Sequence, residues 1–321
     1  MLFITNRVLN ESFESSPGRS VSFNLKNNTA SPSVYFCERK GKGKYKELMS
    51  KPFMGRLKDS EYKQLLLYIH GYSNLPEEHI FPRAAALQSM LDAEMGKGVI
   101  LAVPIIWPCD NDLGIIKDYY DDQIAADDSA TAFARVIGKF LDWREGNDNL
   151  DVPCLMRMNV LAHSMGNRVF RGALHSAAQN FLNGGVPLLF RNVFLVAADV
   201  VNETLEKGQP GHFISDSARN VTVYFASDDL ALRASKIANV GTVASRRLGH
   251  SGPENMEKVA TNVYAVDCDE VNTDYDSPKG HSYFLKGTDS KPGKVFQHMC
   301  HALRTGRVLM DSPHGRMFEI S

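Results

Sequence analysis

The chain lacks any long run of apolar residues and any excess of charge of one sign. Its longest apolar run, residues 99–107, is interrupted by Pro104 and is too short to span a bilayer. The 321 residues carry a formal net charge of -1 at pH 7, and 43% of them are hydrophobic. Such a chain has no field that would attract DNA or an anionic membrane. The composition therefore predicts a soluble globular protein with no nucleic-acid partner and no membrane partner.

Cysteine is scarce as well, and no two cysteines form a C-x-x-C pair. An odd number of scattered cysteines is not typical of a disulfide framework and indicates reduced, mostly buried thiols. The first 13 residues lack the basic and apolar regions of a signal peptide. Together these features predict a cytoplasmic protein. The five cysteines are Cys37, Cys109, Cys154, Cys268 and Cys300.

Patterns that bind cofactors are also missing. The chain has neither the glycine-rich loop of Walker nucleotide sites nor that of dinucleotide sites. His298, Cys300 and His301 are grouped in sequence, but their spacing does not converge on one side of a helix, and no further ligand is evident. We therefore expect no cofactor and no metal site.

The chain does contain apolar strands that alternate with amphipathic helices, and it shows no repeat and no linker. This order predicts one α/β domain over residues 1–321, with a mostly parallel central sheet and helices on both faces. Pro82 is expected either in the first turn of its helix or at a kink, and the lysine-bearing segment 38–46 is expected to be a loop. The predicted strands are 2–7, 21–25, 33–37, 64–72, 99–108, 158–162, 192–200, 221–229 and 262–271. The predicted helices are 77–95, 121–144, 167–182, 230–240 and 294–310.

The stretch VLAHSMGNRV, residues 160–169, places Ser164 between an apolar strand and the start of a helix. A serine at such a turn is typical of a nucleophile elbow, which requires small residues two positions away on either side. Ala162 and Gly166 meet this requirement, and no other serine in the chain has Gly or Ala at both positions. The alternative interpretation is a serine that only caps the helix.

A nucleophilic serine needs a general base and an acid that orients this base. In a strand–turn–helix hydrolase these follow in the order Ser, Asp, His, on loops after later strands. Asp228 and Asp229 end one predicted strand, and His281 follows the last predicted strand. Spacing does not choose between the two aspartates. Asp199 and His250 are weaker alternatives, because Asp199 follows an earlier strand and His250 precedes the last one.

The HGYSN turn, residues 70–74, follows a buried strand and can supply part of an oxyanion hole. Acyl transfer needs backbone N–H groups that point at the developing negative charge. The N–H groups of Tyr72 and Met165 are the predicted donors, and Gly71 permits the required backbone geometry. The alternative is an ordinary strand-exit turn. Trp107, after the next strand, is predicted to line the pocket wall.

These segments resemble the α/β-hydrolase superfamily and, within it, a bacterial group known mainly as a domain of unknown function. The resemblance implies a serine hydrolase with Ser164 as nucleophile, Asp229 as acid and His281 as base. It also implies Tyr72 and Met165 as oxyanion donors, but it implies no particular substrate. Between residues 2 and 284, the matching segments are TNR, YIHGY, IIWP, LAHSMGNRV, NVFLVAADV, YFASDDLAL, RRLGHSGP and HSYF.

Hydrolases of this architecture commonly carry a cap after the strand that follows the nucleophile helix. Residues 201–220 occupy that place and are too few for a separate cap domain, so we expect an open pocket. Its walls are expected from loops near 73–80, 109–120 and 201–216. Two hypotheses follow: a serine hydrolase that cleaves a small ester-type acyl substrate through an acyl-enzyme, or an inactive relative that acts as a binding module. The complete, ordered triad favours the hydrolase.

Overall fold

One sheet of eleven strands runs through the described part of this computed structural model. The described residues are 1–12, 14–110, 115–146, 154–233, 246–286, 291–310 and 315–320. The strands are β1 Leu2–Arg7, β2 Ser20–Val21, β3 Ala30–Gly41, β4 Lys44–Glu47, β5 Gln64–Ile69, β6 Ile100–Ile106, β7 Arg157–His163, β8 Phe190–Val196, β9 Ala218–Phe225, β10 Val263–Asp267 and β11 Met317–Glu319. Their order across the sheet is β11-β10-β9-β8-β7-β5-β6-β1-β3-β4-β2.

Neighbouring strands are parallel from β11 to β1, and β3, β4 and β2 continue the sheet in antiparallel fashion. Helices cover both faces of the sheet. They are α1 Ser50–Lys58, α2 Phe81–Met95, α3 Ile115–Glu145, α4 Gly166–Asn180, α5 His212–Asp216, α6 Leu248–Ser251, α7 Thr273–Asp276 and α8 Lys294–Thr305, with a π-helical turn at Pro76–Ile80 before α2. This arrangement confirms the predicted fold class.

The alternation of side chains along the strands divides the core into two apolar layers. On β5, Leu66 and Tyr68 face the layer that contains α2 and α8, whereas Leu65 and Ile69 face the layer that contains α1, α3 and α4. Each central strand is thus buried on both faces, as expected for a parallel sheet. Residues 197–217, between β8 and β9, form turns and the short helix α5.

The segment 38–46 is not the loop that its lysines predicted. β3 continues through it to Gly41, and β4 begins at Lys44, so that the two strands form a hairpin. The reason is a period-two pattern, in which lysines alternate with Tyr45 and Glu47, both buried. The Glu47 carboxylate is stabilised by the Arg19 guanidinium, 2.6 Å away.

Other predicted elements differ at their ends. α3 begins at residue 115, before the predicted start, and the predicted helix 294–310 stops at Thr305 because Gly306 adopts a left-handed φ of 70°. In place of the predicted strand 21–25, the structure has the two-residue strand β2. The last predicted strand, 262–271, corresponds to β10, and β11 is an additional strand after it. Of the predicted helix 230–240, residues 230–233 are helical, and the remainder lies outside the described residues. Among the described helices, none combines the length and apolarity needed to cross a membrane.

Candidate active site

Ser164 lies in the sharp turn between β7 and α4, with a φ of 54°. Positive φ is rare for residues other than glycine and is expected at a nucleophile elbow. The turn is fixed by Asn167, whose Nδ2 donates to the carbonyl oxygens of Ala162, at 3.0 Å, and Ser164, at 2.9 Å. The backbone N–H of Ser164 donates to Val196 O at 3.0 Å. Sequence reasoning missed Asn167, although a buried amide in the first turn of a helix is a signal for such a role.

Gly166 is small because α4 passes directly against the end of β5. A Cβ at this position would lie 2.5 Å from His70 O and 2.6 Å from Ile69 O. Backbone atoms at these distances cannot move aside without shifting the strand. The predicted requirement for a small residue two positions after Ser164 therefore has a steric cause in this structure.

His281 and Asp229 are hydrogen-bonded, with Nδ1 of the histidine 2.7 Å from Oδ2 of the aspartate. Asp229 is fully buried. Its other oxygen, Oδ1, accepts the N–H groups of Ala231 and Leu232 at 3.0 Å each. Asp229 thus caps the helical residues that follow it and binds His281 at the same time, with a different oxygen for each task.

Asp228 points elsewhere, although it is adjacent in sequence. Its Oδ1 accepts a hydrogen bond from Nδ2 of Asn272, and the neighbouring Leu230 N–H donates to Lys279 O at 3.1 Å. β9 ends at Phe225, so the two aspartates lie beyond the strand that was predicted to include them. Asp228 therefore helps to join the two loops that carry Asp229 and His281.

The alternative residues Asp199 and His250 lie in other environments. Asp199 Oδ2 accepts the hydroxyl proton of Tyr119 at 2.8 Å, and Oδ1 is 3.3 Å from Nε of Arg247. His250 lies on α6, where its Nδ1 is 3.2 Å from Ser251 Oγ. Among the three candidate acids and the two candidate bases, Asp229 and His281 form a direct hydrogen bond.

The loop that carries His281 is fixed on two sides. The carboxylate of Asp276 accepts the backbone N–H groups of His281, at 3.1 Å, and Ser282, at 2.9 Å. From the other side, Nε2 of His163 lies 3.0 Å from the carbonyl oxygen of His281, so that His163 is the donor. His163 directly precedes Ser164 and thereby brings the two loops together. Within the described residues, Ser164 Oγ and His281 do not form a hydrogen bond. Such contacts often tighten only when substrate binds.

The adjacent imidazoles of His163 and His281 have opposite pKa shifts. Burial lowers the pKa of His281, but the Asp229 carboxylate more than offsets this effect and raises the pKa above its ordinary value of 6.5. Burial and the nearby His281 hold the pKa of His163 well below that value. His281 is therefore the imidazole that is suited to accept a proton, whereas His163 remains neutral.

The candidate oxyanion turn lies against Ser164. A Cβ on Gly71 would fall 2.9 Å from the Cβ of Ser164, so only glycine allows the turn to approach so closely. Within the described residues, the N–H groups of Tyr72 and Met165 donate no hydrogen bond to the protein. Both predicted donors are therefore without an acceptor among the described residues.

His70 and Trp107 hold the beginning of this turn. Trp107 Nε1 donates to His70 O at 2.8 Å, and its backbone N–H donates to His70 Nε2 at 3.2 Å. His70 Nδ1 donates in turn to Gly71 O at 2.7 Å. Burial lowers the pKa of His70 to about 3, so this ring stays neutral. Trp107 was predicted to line the pocket wall, which is wrong: it is fully buried beneath the turn.

Asn74 and Asp122 hold the far end of the turn. Asn74 Nδ2 donates to the carbonyl oxygens of Gly71, at 3.0 Å, and Tyr72, at 2.6 Å. Ser73 has a φ of 56°, and its N–H donates to Asp122 Oδ2 at 2.9 Å. Burial raises the pKa of Asp122 to about 8. Asn74 is the last residue of the turn, whereas Asp122 comes from α3, and neither of these roles was predicted.

His298, which was grouped in sequence with Cys300 and His301, has hydrogen-bond partners at both of its ring nitrogens. His298 Nδ1 lies 2.7 Å from Tyr224 Oη, and its Nε2 lies 2.8 Å from Leu309 O. Across the described ranges, no three His, Cys, Asp or Glu side chains are placed to hold a metal ion together.

Comparison with known proteins gives one family. A family model with the description "Alpha/beta hydrolase of unknown function (DUF900)" matches residues 46–292, which include Tyr72, Ser164, Met165, Asp229 and His281. No curated protein and no solved structure matches the chain.

Proposed function

Since the chain belongs to this family of α/β hydrolases, we propose that it is a serine hydrolase that cleaves a small ester-type acyl substrate through an acyl-enzyme. The observation that supports this proposal best is the buried Asp229–His281 hydrogen bond of 2.7 Å, on loops held next to an elbow serine. A buried carboxylate that raises the pKa of a nearby histidine is typical of a catalytic site. A binding module does not require this pair, so the pair favours the hydrolase over the inactive relative.

The proposed first step is attack of Ser164 Oγ on the acyl carbonyl carbon. His281 Nε2 takes the hydroxyl proton as the new C–O bond forms. The Asp229 carboxylate accepts a hydrogen bond from the N–H at Nδ1 of His281. This bond leaves Nε2 as the basic nitrogen and stabilises the imidazolium. His281 then gives its proton to the leaving alcohol when the ester C–O bond breaks.

The negative charge that develops on the carbonyl oxygen requires donors. In this proposal the N–H groups of Met165 and Tyr72 provide them, because neither donates to another described residue. Met165 directly follows Ser164, and Tyr72 follows Gly71, which lies against Ser164. Water, deprotonated by His281, then attacks the acyl carbon. The bond between this carbon and Ser164 Oγ breaks, His281 returns the proton to Oγ, and the acid is released. The same two N–H groups stabilise the oxyanion of this second step.

The direct test is labelling with a fluorophosphonate, which reacts with activated serines and requires no knowledge of the substrate. We expect one label per chain, on Ser164, and no label on a Ser164→Ala variant with an unchanged circular dichroism spectrum. Ser217→Ala is the matched control, because Ser217 is buried but bonded to Ile214 O far from the turn. A wild-type protein that stays unlabelled at neutral and mildly alkaline pH would contradict the proposal and favour the inactive relative.

A further inference from the structure

A second site is indicated by an apolar cavity of about 220 Å³ between the sheet and α3. It lies in the core layer of α1, α3 and α4, and its walls come from these helices and from β5 and β7. Among the described residues that line it, the side chains are apolar or carry a thiol, except that of Arg144. Ser164, Asp229 and His281 do not line it, so it is separate from the candidate active site.

The cavity is elongated along the strands. Leu65, at the start of β5, and Ile69, at its end, both line it, and four residues of strand span about 13 Å. Arg144 lies near the end of α3 and lines the cavity together with Met156, which precedes β7. Arg144 is therefore at the amino ends of the strands, whereas Ser164 follows the carboxyl end of β7.

The chemistry of the walls specifies what fits. Water needs several polar partners, which an apolar wall does not offer, and an apolar cavity of about 150 Å³ is large enough to bind benzene. This cavity is larger, so it accommodates a longer apolar group. The Arg144 side chain is 39% exposed, and its contact with Glu145 is 4.0 Å long to a carboxylate that is itself 74% exposed. An ion pair of this kind is weak and leaves the guanidinium able to bind another anion.

We propose that this cavity binds a free straight-chain carboxylate of about the length of decanoate. Its alkyl chain lies along the sheet, and its carboxylate binds Arg144, whose planar guanidinium suits a carboxylate. Leu155 and Leu188, which are next in sequence to the lining residues Cys154 and Leu189, are 84% and 64% exposed, so exposed apolar side chains adjoin the cavity wall. The ligand is not the substrate of Ser164, because its carboxylate is held at the opposite ends of the strands.

Binding can be followed through Trp143, which lines the cavity. The chain has two tryptophans, and the other, Trp107, is fully buried against His70. We expect titration with decanoate to change the tryptophan fluorescence in a saturable way, in the wild type and in Ser164→Ala alike. Trp143→Phe should remove the signal while calorimetry still detects binding. The experiment therefore does not depend on whether Ser164 is catalytic.

Substitutions separate the carboxylate contact from the alkyl contact. Arg144→Gln should weaken decanoate binding about tenfold or more and leave decanol binding unchanged, because decanol has no charge to pair. Lys117→Gln is the matched control, since it removes an exposed cation from the other end of the same helix. Ala173→Leu and Ile137→Phe should each abolish binding of both ligands by filling the cavity. Two filling variants are used so that one that misfolds does not decide the result.

Three results would overturn the proposal. The first is absence of saturable decanoate binding to the folded wild type. The second is an Arg144→Gln variant that loses as much affinity for decanol as for decanoate, or that loses no more affinity for decanoate than Lys117→Gln does. The third is binding to phosphatidylcholine vesicles with no binding of free decanoate. This result would assign the exposed Leu155 and Leu188 to contact with a lipid surface instead.

Discussion

Gly71 and Ser164 are so close that a Cβ on the glycine would lie 2.9 Å from Cβ and 3.3 Å from Oγ of the serine. These two residues come from different strands and are 93 positions apart in the chain. Their contact sets the distance between the candidate nucleophile and the N–H of Tyr72. Any side chain at position 71 must push the turn and the serine apart.

We therefore expect Gly71→Ala to reduce the turnover of a short-chain nitrophenyl ester by roughly 10²–10³, the effect of losing one oxyanion donor. Gly185→Ala is the matched control, because a Cβ there would meet nothing within 4 Å. Turnover and melting temperature should be measured for both variants. Full turnover in a correctly folded Gly71→Ala protein would exclude Tyr72 as a donor.

The adjacent aspartates allow a sharper comparison. Asp229→Asn keeps an oxygen for the N–H groups of Ala231 and Leu232 but loses the charge that holds the tautomer of His281. We expect turnover to fall by about 10⁴, with little change in melting temperature. Asp228→Asn should retain most of the activity, since an amide oxygen can still accept from Asn272. If Asp228→Asn caused the larger loss, Asp228 rather than Asp229 would be the acid.

The choice of Asp229 illustrates what the sequence could and could not provide. The order Ser, Asp, His follows from the fold and is visible in the chain. The choice between Asp228 and Asp229 depends on how the turn after β9 is shaped, and this is determined by contacts with Asn272 and Lys279, over 40 residues away. Local spacing contains no information about such contacts. The resemblance to a family selected Asp229, and the structure pairs that residue with His281.

The pH dependence should follow His281. A general base must be neutral, so activity is lost as pH falls through its pKa, and the carboxylate of Asp229 sets that pKa above 6.5 despite burial. The acid limb of kcat/KM for a nitrophenyl ester should therefore have its midpoint above pH 6.5. In Asp229→Asn the residual activity should show a midpoint at lower pH, because burial is then opposed only by the smaller effects of Asp276 and Asp199.

The same measurement distinguishes the two histidines that follow the late strands. His281→Ala should reduce turnover by several orders of magnitude, whereas His250→Ala should keep both the rate and the acid limb. The reverse order of the two losses would assign the base to His250. A midpoint that does not move in Asp229→Asn would show that this carboxylate does not control the base.

The elbow should lose stability without Asn167. Its amide satisfies the buried carbonyl oxygens of Ala162 and Ser164, and Asn167→Ala leaves both without that donor. We expect the free energy of unfolding in urea to fall by about 1–3 kcal/mol. Asn180→Ala, at the exposed end of the same helix, should change it by less than about 0.5 kcal/mol. Equal effects of the two substitutions would contradict this role of Asn167.

The parts of the site that escaped prediction share one property. Trp107 and Asp122 act on the turn at residues 70–74 from two separate segments, and His70 acts from within it. Each of the three is buried by the packing that surrounds it. Sequence patterns show that Trp107 is apolar and follows a strand, but not which side of the turn it will occupy. The cavity is hidden for the same reason, because its shape depends on the separation between α3 and the sheet.

The two edges of the sheet are occupied by its shortest described strands, β2 with two residues and β11 with three. A long free edge offers backbone groups to which another chain can add a strand, and this addition is a route to aggregation. β11 covers Ala265, Val266 and Asp267 of β10, and few unpaired groups remain beyond it. The three residues of β11 therefore protect β10, an apolar parallel strand, from pairing with other copies of the chain. This contribution to solubility is independent of any chemistry at Ser164.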